Sequence, residues 1–118
     1  MTGRIFCVYH KRNPDFISEP DEIKTGDYEY AATVVCVDLE DVFRVTNTIE
    51  GYWWDNQEVR KTNPDKIGKG FRSTSVGDVV LEFPENFNGN DIKTHIVCGC
   101  GFKEVKVVTT DAGFVQNN

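Results

Sequence analysis

The hydrophobic period of this chain changes at Asp38. Before it, "YAATVVCVD" (30–38) is a short apolar run rich in β-branched residues, the pattern of a strand covered on both faces. After it, Leu39, Val42, Phe43, Thr46 and Ile49 fall at i, i+3, i+4, i+7 and i+10, one face of a helix. Asp38 stands where a carboxylate can accept from the orphan amides of a first helical turn. Asp41, three residues on, approximates a capping box. Glu40 and Arg44 are spaced for an i, i+4 ion pair on the wet face, and Gly51 follows where the helix should stop. The spacing predicts a helix over 39–49, docked on a sheet through Leu39, Val42, Phe43 and Ile49.

The remaining segments read as strands and turns. "RIFCVYH" (4–10) alternates as a strand, whereas 11–29, with two prolines, many charges and a glycine, reads as a long loop. Residues 52–71 begin with aromatics and end in turn formers, so they read as mostly loop. "GDVVLEF" (77–83) is a half-buried strand, "PENFNGNDIK" (84–93) a hairpin connection, and "THIVCGCG" the returning strand. "FKEVKVV" predicts one more strand, and residues 109–118 a frayed tail. With 118 residues the chain suits a single domain over 1–118. The expected class is α+β: a small, mainly antiparallel sheet of about five strands with one packed helix.

Charge and composition exclude several function classes. A net charge of −6 argues against a general phosphate-backbone binder, yet the charge is too mild and mixed for a DNA-mimicking surface. No apolar run approaches the roughly 18 residues that cross a bilayer. The start "MTGRIFCVYH" has no long apolar segment followed by a cleavage site. Four cysteines without a secretion signal suit a reducing compartment, so a cytoplasmic protein with free thiols is expected.

Those cysteines invite a zinc reading through Cys7, His10, Cys98 and Cys100, since thiolate and imidazole are zinc's favoured ligands. However, Cys7 and His10 sit three apart on a predicted strand and leave opposite faces. Cys98-Gly99-Cys100 reads as a continuing strand with Ile96, Cys98 and Cys100 on one face, the pattern of small core side chains. No metal and no cofactor are expected. "GKGFRST" lacks the spacing of a phosphate loop, and the acidic run 18–22 reads as a solvated loop rather than a calcium site. His10 and His95 accompany no nucleophile signature, so no catalytic residue is assigned and an enzyme is not expected.

Two neighbouring features remain. Trp53 and Trp54 are consecutive, so on extended chain one points inward and the other outward; either both pack, one in the core and one against the loop, or an exposed indole anchors a partner. "RSTS" places the Arg72 guanidinium beside the hydroxyls of Ser73, Thr74 and Ser75. These groups can fix the loop before the strand by local bonding, or contact an anion through the arginine fork. Asp78 can bond the amides of "STSV" or pair with Arg72, and Asn47 and Asn56 can cap loop backbone.

"TNTIEGYWWDN" (46–56), "RSTSVGDVV" (72–80) and "GFKEV" (101–105) together resemble a family of small proteins of phages and plasmids. Their Ser-Val-Gly-Asp-Val strand and closing Gly-Phe-Lys-Glu also look like the YodL domain of mobile-element proteins. The resemblance covers roughly residues 28–106 and implies an accessory protein acting in a bacterial host cell; it implies no activity. The resulting expectation is a non-enzymatic module that engages a host or phage protein through Trp53, Trp54, Asn56, Arg72, Ser73, Thr74, Ser75 and Asp78. The alternative is a single-stranded nucleic-acid binder using an exposed Trp with Lys66, Lys69 and Arg72. Its basis is the segment 60–72, which has five basic residues against one acid.

Overall fold

The computed structural model describes residues 3–12, 22–47, 52–64, 72–83, 92–99 and 101–108. Eight strands are present among them: β1 (Arg4–Lys11), β2 (Glu22–Lys24), β3 (Tyr28–Cys36), β4 (Val59–Thr62), β5 (Val79–Glu82), β6 (Lys93–Cys98), β7 (Gly101–Glu104) and β8 (Lys106–Val108). One helix, α1 (Leu39–Val45), and two 3-10 turns, Thr25–Asp27 and Trp53–Asp55, complete the set. Six strands form one sheet in the order β4-β3-β1-β5-β6-β7, every neighbouring pair antiparallel. The other two, β2 and β8, pair in parallel as a separate ribbon. The α+β class holds, with six strands in the main sheet rather than about five.

The sheet is buried on both faces because its strands alternate two apolar sets. Phe6, Val8, Ala32, Val34 and Val80 lie under α1 and Trp53. Tyr9, Tyr28, Tyr30, Val79 and Ile96 face the other way, where Ile23 of β2 and Val105 pack on them. The consecutive alanines of β3 mark a slip in this alternation. Val8 pairs with Ala32 but Tyr9 pairs with Tyr30, so Ala31 is the extra residue of a bulge. A small side chain suits that unpaired, buried position.

Helix α1 starts as expected, with the amide of Asp41 donating to Asp38 Oδ1 at 2.8 Å. The reciprocal half of the box is shifted by one residue, because the Asp41 carboxylate accepts from the amide of Val37 at 3.2 Å. Arg44 pairs with Asp41 and Glu58, not with Glu40. Asp41 is partly buried, which opposes its charge, but the hydrogen bonds from Arg44 and from the Val37 amide, with the charge of Arg44, together outweigh that cost and hold its carboxyl below the ordinary range. The buried strip consists of Val42, Val45 and Thr46, with Leu39 half-buried at its edge. Relative to the expected strip it is rotated by roughly 50°. Phe43 consequently stands 37% exposed rather than docked in the core. Ile49 lies outside the described residues, as do 109–118, 13–21 and residues 84–91 of the connection expected at 84–93, whose last residue, Lys93, opens β6.

Two segments expected to be loop contain regular structure. The stretch 11–29 includes β2, the turn Thr25–Asp27 and the start of β3, and 52–71 includes the turn Trp53–Asp55 and edge strand β4. Similarly, "FKEVKVV" supplies two strands that belong to different sheets. No helix among the described residues is long and apolar enough to cross a membrane.

Candidate functional site

The segment before β5 carries the densest polar network among the described residues. Ser75, Val76, Gly77 and Asp78 form a tight turn closed by Asp78 N–H donating to Ser75 O at 3.0 Å. Gly77 occupies its third position at φ +96°, a conformation that costs a side-chain-bearing residue dearly. The same glycine is held on both sides. Its N–H donates to Val97 O at 2.9 Å, and its carbonyl accepts from Tyr28 Oη at 2.9 Å.

The turn aims the Asp78 carboxylate inward, where it is fully buried. Arg72 meets it as a two-pronged fork, Nη1 to Oδ2 at 2.6 Å and Nη2 to Oδ1 at 2.7 Å. The amides of Lys11 and Ser75 donate to the same carboxylate at 2.7 and 2.8 Å. Arg72 further donates to the carbonyls of Ser73 and Lys11 and to Ser75 Oγ, at 3.0 to 3.1 Å. A buried charge is tolerated only when paired and bonded in this way. The arginine fork therefore faces an acid of its own chain, and the hydroxyl of Ser75 joins the same set.

Thr74 is buried and directed to the helix side of the sheet. Its hydroxyl lies 3.1 Å from His10 Nε2, and its amide donates to Thr46 O at 3.3 Å. His10 is buried against Trp53, ring to ring at 6.3 Å in an edge arrangement. Asp78 Oδ2 stands 4.0 Å from the same Nε2. Thr74 and Asp78 thus lie toward one ring nitrogen of His10, which differs from the relay in which an acid and a hydroxyl address opposite nitrogens of the imidazole.

Trp53 and Trp54 lie on a 3-10 turn, not on extended chain. Trp53 is 2% exposed and donates from Nε1 to Arg72 O at 3.1 Å, which ties this turn to the polar network. Trp54 meets it edge-on at 5.7 Å and is half-buried against the helix-side core. Tyr52 then stacks on Trp54, with centroids 4.6 Å apart and planes 15° from parallel. At 64% exposure Tyr52 presents the outer face of this stack to solvent. Asn56 donates from Nδ2 to Val45 O at 2.8 Å, capping the end of α1, and Asn47 does the same for Phe43 O at 2.9 Å.

The network therefore brings together Arg72, Ser73, Ser75 and Asp78, and through His10 and Trp53 it reaches Thr74. Trp54 projects from the far side of Trp53, and Asn56 serves the helix. Sequence reasoning did not select His10 or Lys11 as members of this network, nor Tyr52 as its outermost aromatic. Tyr52 had one signal, its place beside two tryptophans in "GYWWDN".

The candidate zinc ligands are dispersed. Cys7 is directed toward Thr33, with its Sγ 3.5 Å from the threonine hydroxyl, while His10 lies on the helix side. Cys98 does not continue a strand: it ends β6, pairs with Gly101 across a tight hairpin, and Gly99 begins the turn. Cys100 lies outside the described residues. Among the described residues, no three His, Cys, Asp or Glu side chains converge on a common point. Burial pushes the Cys7 thiol up, and burial beside Asp41 and Glu58 pushes Cys36 up to about 12. Both thiols are thereby poor nucleophiles.

Comparisons of the chain with protein-family models, with curated proteins and with solved structures return no match.

Proposed function

We propose that this chain is a non-enzymatic binding module that engages a protein partner through the aromatic surface of Tyr52 and Trp54. The observation that carries the reading is the Tyr52–Trp54 stack, an aromatic pair with one member 64% exposed and the other fixed against the core. Tyr and Trp so placed offer large contact area at little conformational cost, and both are enriched at binding hot spots. Trp53, Asn56 and the Arg72–Asp78 network hold the surface from behind. On its motif resemblance, the module is an accessory protein of a phage or plasmid, and its partner a host or phage protein in the bacterial cytoplasm.

Lys66 and Lys69 lie outside the described residues; among the described cations, the directions of Arg72 and Lys61 favour a protein partner over single-stranded nucleic acid. The Arg72 guanidinium is turned to Asp78. Lys61 stands over the ring of Tyr30, on the opposite side of the sheet from Trp54. The residues that follow the stack include Asp55 and Glu58. A strand binder needs its cations beside its stacking rings. An enzyme is disfavoured by the burial of both Thr74 and His10.

The test is capture from bacterial lysate with nuclease present, comparing the wild type with Tyr52→Ser and Trp54→Ser. A specific protein retained by the wild type and lost by both variants supports the reading. Capture that disappears on nuclease treatment, or survives both substitutions, overturns it.

A further inference from the structure

Helix α1 divides the helix-side surface of the sheet in two. It sends Arg44 to Glu58 on the β4 side, while Phe43, one residue earlier and about 100° around the helix, points to the β6–β7 hairpin. Between Phe43 and that hairpin lies an open groove of about 230 Å³. Phe43, Val97, Phe102, Cys98 and the glycines Gly99 and Gly101 line it. An apolar cavity of roughly 150 Å³ takes up a benzene-sized solute, so this groove admits one aromatic or branched aliphatic side chain.

The chemistry of the rim restricts the occupant further. Glu40 lines the groove, and it is the charged residue that does so. Its i+4 neighbour Arg44 is directed to Asp41 and Glu58, so Glu40 makes no ion pair among the described residues. An exposed carboxylate beside an apolar recess, on a chain of net charge −6, complements a cation carried next to an apolar group.

We infer that this groove is a second contact site, for a partner segment in which an aromatic or leucine side chain is followed by Lys or Arg. The apolar side chain fills the space between Phe43 and Phe102, and the cation meets Glu40. The inference rests on the partner being a protein, but its site is distinct from the Tyr52–Trp54 stack. It can therefore fail alone.

The experiment is titration of the isotope-labelled full chain with acetyl-Phe-Lys-amide and acetyl-Phe-Glu-amide, read by backbone amide chemical shifts. The Lys dipeptide should give saturable shifts at Val97, Gly99, Gly101 and Phe102. The Glu dipeptide should bind about 2–5-fold more weakly, the range of a part-exposed ion pair of up to about 1 kcal/mol. In Glu40→Gln the difference between the two should vanish, and Phe43→Ser should weaken both. Equal binding of the two dipeptides by the wild type, or a preference that survives Glu40→Gln, overturns the inference. So does the lack of saturable shifts at these amides, as when the groove is filled by the chain's own residues or by a second copy. Loss of lysate capture in Tyr52→Ser bears on the stack alone and leaves this result unaffected.

Discussion

The guanidinium of Arg72 and the carboxylate of Asp78 form a two-pronged pair at 2.6 and 2.7 Å, and the acid is wholly buried while the arginine is 29% exposed. The pair joins the end of β1, through Lys11, to the turn that starts β5. Removing one partner leaves a buried charge without its counter-ion. Arg72→Ala should therefore cost about 3–5 kcal/mol in denaturant melts. Arg72→Lys should recover only part of this, because an ammonium cannot reproduce the fork. A loss below about 1 kcal/mol for Arg72→Ala would place the guanidinium in solvent.

At Gly77 the difficulty for a side chain is conformational, not spatial. A Cβ there would meet only Lys11 Cδ, at 3.8 Å, but φ is +96°. Gly77→Ala should cost about 1–2 kcal/mol, and Gly77→Asn less, since Asn tolerates positive φ better. Equal stability of the Ala variant and the wild type in urea would show that the turn adopts another geometry.

Helix α1 separates two neighbours that look equivalent in sequence. Val42 is fully buried and Phe43 is 37% exposed. Val42→Ala should cost about 2 kcal/mol, from two lost methyl groups and the space they leave. Phe43→Ala should cost about 1 kcal/mol or less, although it removes the larger side chain. Urea melts of the two variants decide the rotation of the helix, and the reverse order would refute it.

What could be read from sequence here was mostly what is local. Asp38 capping the helix, Asn56 and Asn47 bonding backbone carbonyls, and Asp78 answering Arg72 six residues away all follow from short-range chemistry. The helix period was visible too, but not the turn of its face, because Val45 and Phe43 both fit an apolar strip. Edge strand β4 was hidden by its composition. Arg60 and Lys61 are exposed, and Arg60 is the extra residue of a bulge against β3, so no alternation survives. β2 and β8 were hidden by distance, since Ile23 finds Val107 across most of the chain. The same non-locality concealed the roles of His10 and Lys11 beside Thr74 and Asp78.

Cys36 offers a pH-dependent prediction. Its thiol is pushed up from an ordinary 9.0 to about 12, by burial and by the neighbouring Asp41 and Glu58. The folded chain thus keeps a proton that the unfolded chain releases. The stabilisation is complete below pH 9 and is lost as the pH rises toward 12. Burial also raises Cys7 and Tyr30, which act in the same direction. Unfolding free energy should fall between pH 9 and pH 11, and Cys36→Ala should flatten that fall. An unchanged slope in the variant would mean that Cys36 is already accessible in the native state.

The two tryptophans and the tyrosine before them should separate stability from binding. Trp53 is buried, bonds Arg72 O through its indole and packs against His10. Trp53→Ala should therefore cost about 3–5 kcal/mol, and any loss of binding that follows would reflect unfolding. Tyr52 covers only the outer face of Trp54. Tyr52→Ser should leave the denaturant midpoint nearly unchanged, within about 1 kcal/mol, while removing partner capture. Trp54→Ser lies between them, because that ring both packs on the core and supports Tyr52. If Tyr52→Ser melts like the wild type and captures like it, the exposed stack is not the contact surface. If it unfolds the chain, the stack belongs to the core and cannot be the contact surface either.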